Sequence, residues 1–187
     1  MFDNGLVIIM IIEKQITGRY VKIRSIEESD ARIALDMRLD NKSRYFTKVP
    51  DDLDREIEWI KSIRSKQDDY FFMVTDLNDK PIGNVGIYEI NKDKAHIGRI
   101  LNFGNAIQGF EMYLLTIRFA FDKLKLKKLW GDTDIENVSA IRFTKMFGFE
   151  YDPPFKDSES NRTILICRLD EKHFEMAEKK IKQMIYR

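Results

Sequence analysis

The chain has 187 residues, the length of one domain with room for a buried core. Lys and Arg number 32 against 31 Asp and Glu, so the net charge is only +1 although 34% of residues are charged, which argues against a protein built mainly to neutralise phosphate backbones. A hydrophobic share of 43% with 9 Gly and 4 Pro excludes disordered, collagen-like and low-complexity classes.

The apolar run at residues 6–12 is too short for a membrane span. No basic residues precede it and no small-residue cleavage site follows, so no leader is expected either. Residues 20–24 alternate in polarity and predict a strand. The acidic stretch at 25–30 is a helix-start signal, and Ile33, Ala34 and Met37 share the face of the helix after it. A second helix is expected from Asp51 or Asp52, with Leu53, Ile57, Ile60 and Ile63 in one stripe. Residues 70–75, 81–90 and 95–101 read as three strands of an antiparallel meander, separated by polar turns. A short polar loop leads to a helix expected to open at Gly109, carrying Phe110, Leu114, Ile117, Phe121 and Leu124. A strand at 127–134 follows, then a helix at 137–146 with Asn137 as N-cap and Gly148 as its stop. A last strand at 162–169 precedes an amphipathic helix with Phe174, Ala177, Ile181 and Met184 on one face. This order predicts an α/β (α+β) chain with a central mixed β-sheet flanked by helices.

One cysteine leaves no intrachain disulfide and no cysteine zinc cluster, and no metal is expected. The lone thiol is compatible with a reducing cytoplasm, the expected location. Cys167 alternates with Leu165 and Leu169 and reads as a core thiol.

The stretch from Ala95 to Phe149 carries the chemistry. A strand feeds a small polar loop and then a helix N-terminus, whose free N–H groups and dipole favour an anion. Several segments together resemble the GNAT acetyltransferase superfamily, in particular its RimJ/RimL-like branch. They are Gly18-Arg-Tyr-Val-Lys-Ile-Arg24, Lys80-Pro-Ile-Gly-Asn-Val-Gly86, Ala95-His-Ile-Gly-Arg-Ile-Leu101 and the segment opened by Asn137 and closed by Gly148-Phe149. The resemblance spans residues 18–169 and implies a GNAT-like acyl-CoA N-acyltransferase fold. It divides the chain into a possible extra strand at 1–17, a catalytic domain at 18–170 and a terminal helix at 171–187.

The resemblance implies acetyl-CoA as co-substrate and direct attack by a primary amine. Its cofactor contacts fall on Ile100, Leu101, Asn102, Gly104, Asn105, Gln108, Gly109, Phe110, Glu111, Asn137 and Arg142. The chain departs from the family's phosphate loop, since only Gly109 matches clearly, Gly104 and Ile107 stand where Arg or Gln and Gly are usual, and the loop is about two residues short. Thr144 occupies the place where many members carry an acidic Tyr.

His96 is the candidate general base, because imidazole changes charge near neutral pH; a surface histidine, or one that only supports a neighbouring group, is the plainer alternative. Glu89, at the end of the neighbouring strand, is a second candidate. Asp132 and Asp134 share a strand face, suited to a cationic acceptor or to simple solvation. Tyr45, Phe46 and Trp59 lie in the region that walls the acceptor in relatives, with core packing favoured for Trp59. The acceptor is expected to be a small-molecule or peptide amine, either a protein N-terminus or an amino sugar nucleotide, with neither nucleic acid nor membrane as partner. A homodimer through the terminal helix and a catalytically inactive GNAT-fold binding protein remain as alternatives.

Overall fold

The computed structural model describes residues 15–187. The apolar run at 6–12 lies outside them. In chain order the elements are β1 (Ile16–Thr17), β2 (Lys22–Ser25), α1 (Ala31–Leu39), α2 (Leu53–Arg64), β3 (Tyr70–Thr75), β4 (Pro81–Asn91) and β5 (Lys94–Asn102). There follow α3 (Ala106–Arg118), β6 (Lys128–Asp134), α4 (Val138–Met146), β7 (Glu150–Tyr151), β8 (Phe155–Lys156), β9 (Thr163–Asp170) and α5 (Glu171–Ile185). The predicted mixed sheet is present. Its strand order is β1-β2-β3-β4-β5-β6-β9-β7, with β8 also pairing β9, and among the described strands only β5 and β6 run parallel.

Both faces of the sheet centre are covered. Successive side chains of a strand point to opposite faces, and β3 is buried along its whole length. Phe72 and Val74 enter the main core with Met112, Ile117 and Phe121, while Phe71 and Met73 pack with Ala34, Ile60 and Ile63 of α1 and α2. Such two-sided burial explains why Tyr70-Phe-Phe-Met-Val reads as a continuous apolar run. Phe174, Ile181 and Ile185 of α5 belong to the main core. The terminal helix is thus packed into the domain rather than appended to it.

Helix boundaries follow local chemistry. Asp52 caps α2 by accepting from the Arg55 N–H, and Asp170 caps α5 by accepting from the His173 N–H. Gly148 ends α4 at φ +90, where a side chain would be strained and a Cβ would lie 2.9 Å from the His173 carbonyl oxygen. The start of α3 differs from expectation. Asn105 and Gln108 form a reciprocal capping box, each side chain accepting from the other's backbone N–H at 3.0 and 2.9 Å. That box moves the helix start from Gly109 back to Ala106.

Two bulges shape the middle of the sheet. Between β4 and β5 the register passes from Asn84↔Leu101 to Gly86↔Gly98, which leaves one extra residue in β5, with Arg99 at φ +54. Nearer the turn, Glu89 takes φ +53 in β4. Bulges bend a strand and increase its twist, and the site is built around the one in β5.

Candidate active site

The strands β5 and β6 pair only from Lys94↔Lys128 to His96↔Trp130. Beyond that point they part. β6 continues along β9 as far as Asp134↔Ile164, while β5 bends through its bulge toward Asn102. Between the parted edges lies a cleft of about 720 Å³, lined by Ile97 to Ile100 on one side and Gly131 to Asp134 on the other. The facing strand edges have no ladder between them, so an extended ligand can lie there and meet backbone groups.

At the point of parting sits His96. Its residue is 6% exposed, enclosed by the Trp130 ring, stacked at 4.1 Å and 9°, and the Tyr88 ring at 4.4 Å. Nε2 lies 3.0 Å from Asp132 Oδ1, while Nδ1 is buried without a partner. A carboxylate only accepts hydrogen bonds, so Nε2–H donates. The Asp132 side chain is 49% exposed, which makes it the open end of the pair.

The planar groups continue in a row. Arg99 lies over the Tyr88 ring at 4.0 Å and over Trp59 at 5.4 Å. Its guanidinium makes a bidentate ion pair with the buried Asp69 at 2.5 and 2.9 Å. Trp59, Arg99, Tyr88, His96 and Trp130 thus contact one another in sequence across α2, β5, β4 and β6, with His96 stacked on Trp130 and tilted against Tyr88. A Cβ on Gly98 would come within 2.6 Å of the Tyr88 hydroxyl, so only glycine lets Tyr88 close over the strand. Burial pushes the Tyr88 hydroxyl well above its usual range and keeps it protonated.

The far wall carries Thr144, Tyr151 and Cys167. The Thr144 and Tyr151 hydroxyls share a short hydrogen bond, and Thr144 also donates back to the Ala140 carbonyl. Burial raises Tyr151 to about 12 and Cys167 to about 11, so both remain neutral at physiological pH. Near the entrance Arg162 donates to the Tyr45 carbonyl at 2.7 Å and faces Asp134 at 3.6 Å.

The structure distributes the sequence-predicted residues unevenly. His96, Ile100 and Asn137 line the cleft. Leu101 lines a smaller cavity behind it. Glu89 is exposed and absent from the cleft lining. Arg142 is exposed on α4. Asn102, Gly104, Asn105 and Gln108 form the turn into α3, and their polar side chains bond to the turn itself. Asn102 accepts from the Gly104 N–H at 3.0 Å and donates to the Asn105 carbonyl at 3.1 Å. Gly109 is buried against Asn102, where a Cβ would lie 2.4 Å from its amide nitrogen. Phe110 packs on Phe143 and Phe147 in the core.

Glu111 is a correction. It is 0% exposed, and its carboxylate accepts from the backbone N–H groups of Arg19, Tyr20 and Val21 at 2.8, 2.6 and 2.9 Å and from the Tyr186 hydroxyl at 2.8 Å. A carboxylate so enclosed ties the start of the sheet to the end of α5 and has no face left for a cofactor. Trp59, favoured as core from sequence, is 37% exposed and lines the cleft beside Tyr45 and Phe46. Tyr88, Trp130, Arg38 and Arg99 were not singled out from sequence. Alternation on the strands was the available signal for the first two, since Tyr88 and Trp130 pair in register with His96. Among the described residues no group of three or more His, Cys, Asp or Glu is placed to hold a metal ion.

Residues 21–150 match the family described as the acetyltransferase (GNAT) domain. The chain belongs to the GNAT acetyltransferase family. A GCN5-related N-acetyltransferase from Brucella melitensis superposes with a TM-score of 0.78 at 18% identity, covering 92% of this chain and 85% of that one. A spermidine N-acetyltransferase from Vibrio cholerae, solved with CoA and spermine, gives 0.75 at 17% identity over 83% and 98%. Apo FdhC, a nucleotide-linked sugar GNAT, gives 0.73 at 19% identity over 92% and 97%. No curated protein matches the sequence. At these identities the structural likeness establishes the GNAT fold, and the family match establishes an acetyltransferase. Among the described residues no helix is long and apolar enough to cross a membrane.

Proposed function

We propose that this GNAT acetyltransferase transfers an acetyl group from acetyl-CoA to the primary amine of a small molecule, by direct attack in the cleft between β5 and β6. The observation that carries the reading is the His96–Asp132 pair at the point where these strands part. Acetyl-CoA, when bound, supplies the acetyl group already activated as a thioester. The open edges of Ile97 to Ile100 and Gly131 to Asp134 suit an extended amide-bearing chain, which supports its pantetheine arm lying there. Asn137 and Ile100 line the same space.

An amine is largely protonated at neutral pH and must lose that proton before it attacks. Asp132 is the open carboxylate of the pair and serves as proton acceptor. His96 holds it through Nε2, so His96 is a positioning residue. Trp130 and Tyr88 enclose His96 and keep water from competing for that bond. The fit is weaker at the start of α3. Asn105 already occupies the Gln108 N–H, leaving the exposed Ala106 and Ile107 backbone for a phosphate.

That capped helix start favours one second reading, a GNAT-fold binding protein without turnover. The RimJ/RimL-like pattern with Thr144 in place of Tyr supports that branch for the catalytic reading. Neighbours named for spermidine and for a nucleotide-linked sugar support a small-molecule acceptor over a protein N-terminus. Calorimetric titration with acetyl-CoA, followed by thioester consumption over a panel of amines, tests the proposal. Binding with amine-dependent consumption is expected. Binding without consumption on any amine would favour the second reading, and no binding at about millimolar ligand would overturn both.

A further inference from the structure

Behind the cleft lies a second cavity of about 230 Å³, and Arg38, Trp59 and Arg99 line both spaces. Two buried polar atoms among its lining residues have no partner, Arg38 Nε and Asn84 Oδ1. Asn84 is 3% exposed, and its amide nitrogen makes only a long contact of 4.0 Å with Met37 Sδ. One orphan is a cationic donor and the other is an acceptor. Buried groups of this kind are normally satisfied.

The charges of the region decide what would satisfy them. Asp132 is held by His96, Asp134 faces Arg162, and Asp157 accepts from the Ser160 N–H. Arg99 is neutralised by Asp69. Arg38 differs. Its guanidinium donates to the Thr47 carbonyl at 3.0 Å and lies over the Phe46 ring at 4.7 Å, but no carboxylate is within ion-pair distance among the described residues. Asp52, Arg55 and Glu56 line the same cavity; Asp52 accepts from the Arg55 backbone N–H as the helix cap, and Glu56 is coupled to Arg38 only through space. Burial lowers Arg38 and raises Glu56 from their usual values, as expected of charges lacking a contact partner.

We propose that this cavity is the recognition subsite for the far end of the acceptor, and that this end carries an anionic oxyacid group docked on Arg38, with a neighbouring donor to Asn84. The inference rests on the acetyl-transfer reading above and narrows it to anionic amines. Arg38, Trp59 and Arg99 line both spaces, so this cavity adjoins the cleft that holds Asp132. A carboxylate and a phosphate monoester satisfy the same chemistry.

The test uses the full chain and four probes: L-lysine, 6-aminohexanoate, 5-aminopentyl phosphate and 1,5-diaminopentane. Each is measured for binding by calorimetry in the presence of CoA, and for acetyl-CoA-dependent turnover. L-Lysine and the diamine differ only by a carboxylate. At least one anionic probe is expected to surpass the diamine by about tenfold or more, the worth of one charged hydrogen bond. The carboxylate and phosphate arms show which oxyacid is read. Arg38→Gln is expected to erase that preference, and Asn84→Asp, which adds a negative charge beside the anion, to reduce it. Equal or diamine-favoured binding by the wild-type protein overturns the subsite, whether or not either variant folds. Preferential binding of an anionic probe with no thioester consumption on any amine supports the subsite and overturns acetyl transfer, so the two failures are separable.

Discussion

His96 and Asp132 meet across the last paired rung of β5 and β6, Nε2 to Oδ1 at 3.0 Å, with the ring buried and the carboxylate half open. The division of labour follows from exposure. An acceptor amine can reach the carboxylate, whereas the other ring nitrogen is enclosed between Tyr88 and Trp130. Asp132→Asn keeps the shape and removes the proposed proton acceptor. It is expected to lower kcat by about a hundredfold or more, the usual worth of a general base. His96→Phe keeps the stack and removes the hydrogen bond. It is expected to lower kcat by about tenfold with little change in KM. Steady-state kinetics checks both, and a larger loss for His96→Phe than for Asp132→Asn would reverse the assigned roles.

Glu111 has a structural duty that separates it from the cofactor. Replacing it with Ala strands three backbone N–H groups and the Tyr186 hydroxyl in the interior. The expected cost is about 3 kcal/mol or more, read from the urea midpoint. At low denaturant, where the variant is folded, acetyl-CoA affinity is expected to match the wild type. A selective loss of affinity without destabilisation would return Glu111 to the cofactor site.

The contrast between His96 and Glu111 shows what a sequence can carry. Strand alternation placed His96 and Asp132 on the right elements, since pleat geometry is local. The order of the main elements along the chain and most helix spans followed from the same periodicity, whereas the strand order across the sheet did not. Glu111 could not be read that way, because its partners Arg19 to Val21 lie about ninety residues earlier and are met only when α3 packs on the sheet. The bulge at Arg99 was hidden for a related reason. A left-handed residue other than glycine leaves no compositional mark, and it is the bidentate bond to Asp69 that holds it. The helix start at Ala106 was legible in principle, from Asn105 and Gln108 at capping-box spacing.

Asp69 and Arg99 form the least exposed ion pair of the cleft wall, with side chains 5% and 18% exposed. Asp69→Asn leaves the guanidinium between Trp59 and Tyr88 without its counter-charge. Removing one partner of a buried pair costs about 3 kcal/mol or more. The variant is therefore expected to lose that much stability in urea titration. Its KM for the acceptor is also expected to rise, because Arg99 supports both Tyr88 and Trp59. Unchanged stability with Asn at this position would show that the pair is not coupled to the fold.

Cys167 gives the alkaline limb of the stability profile. Burial raises its thiol from an ordinary value of 9.0 to about 11. The folded chain therefore holds the proton longer than the unfolded chain does. Stability from this group is fully present below about pH 9 and is lost as the pH rises toward 11, since the unfolded state then binds fewer protons. Two pH units correspond to roughly 2–3 kcal/mol. Urea midpoints for the wild type are expected to fall between pH 8.5 and 10.5, and Cys167→Ala is expected to flatten that fall. The Tyr151 hydroxyl, at about 12, adds a second decline that begins above its usual value of 10.0 and survives the substitution. The same enclosure predicts the reactivity of the thiol. At pH 8 the native chain should alkylate with iodoacetamide about a hundredfold more slowly than the urea-unfolded chain, because so little of the thiol is ionised. Equal rates in the two states would mean that the thiol is open to solvent, and the alkaline loss of stability would then have to come from the tyrosines alone.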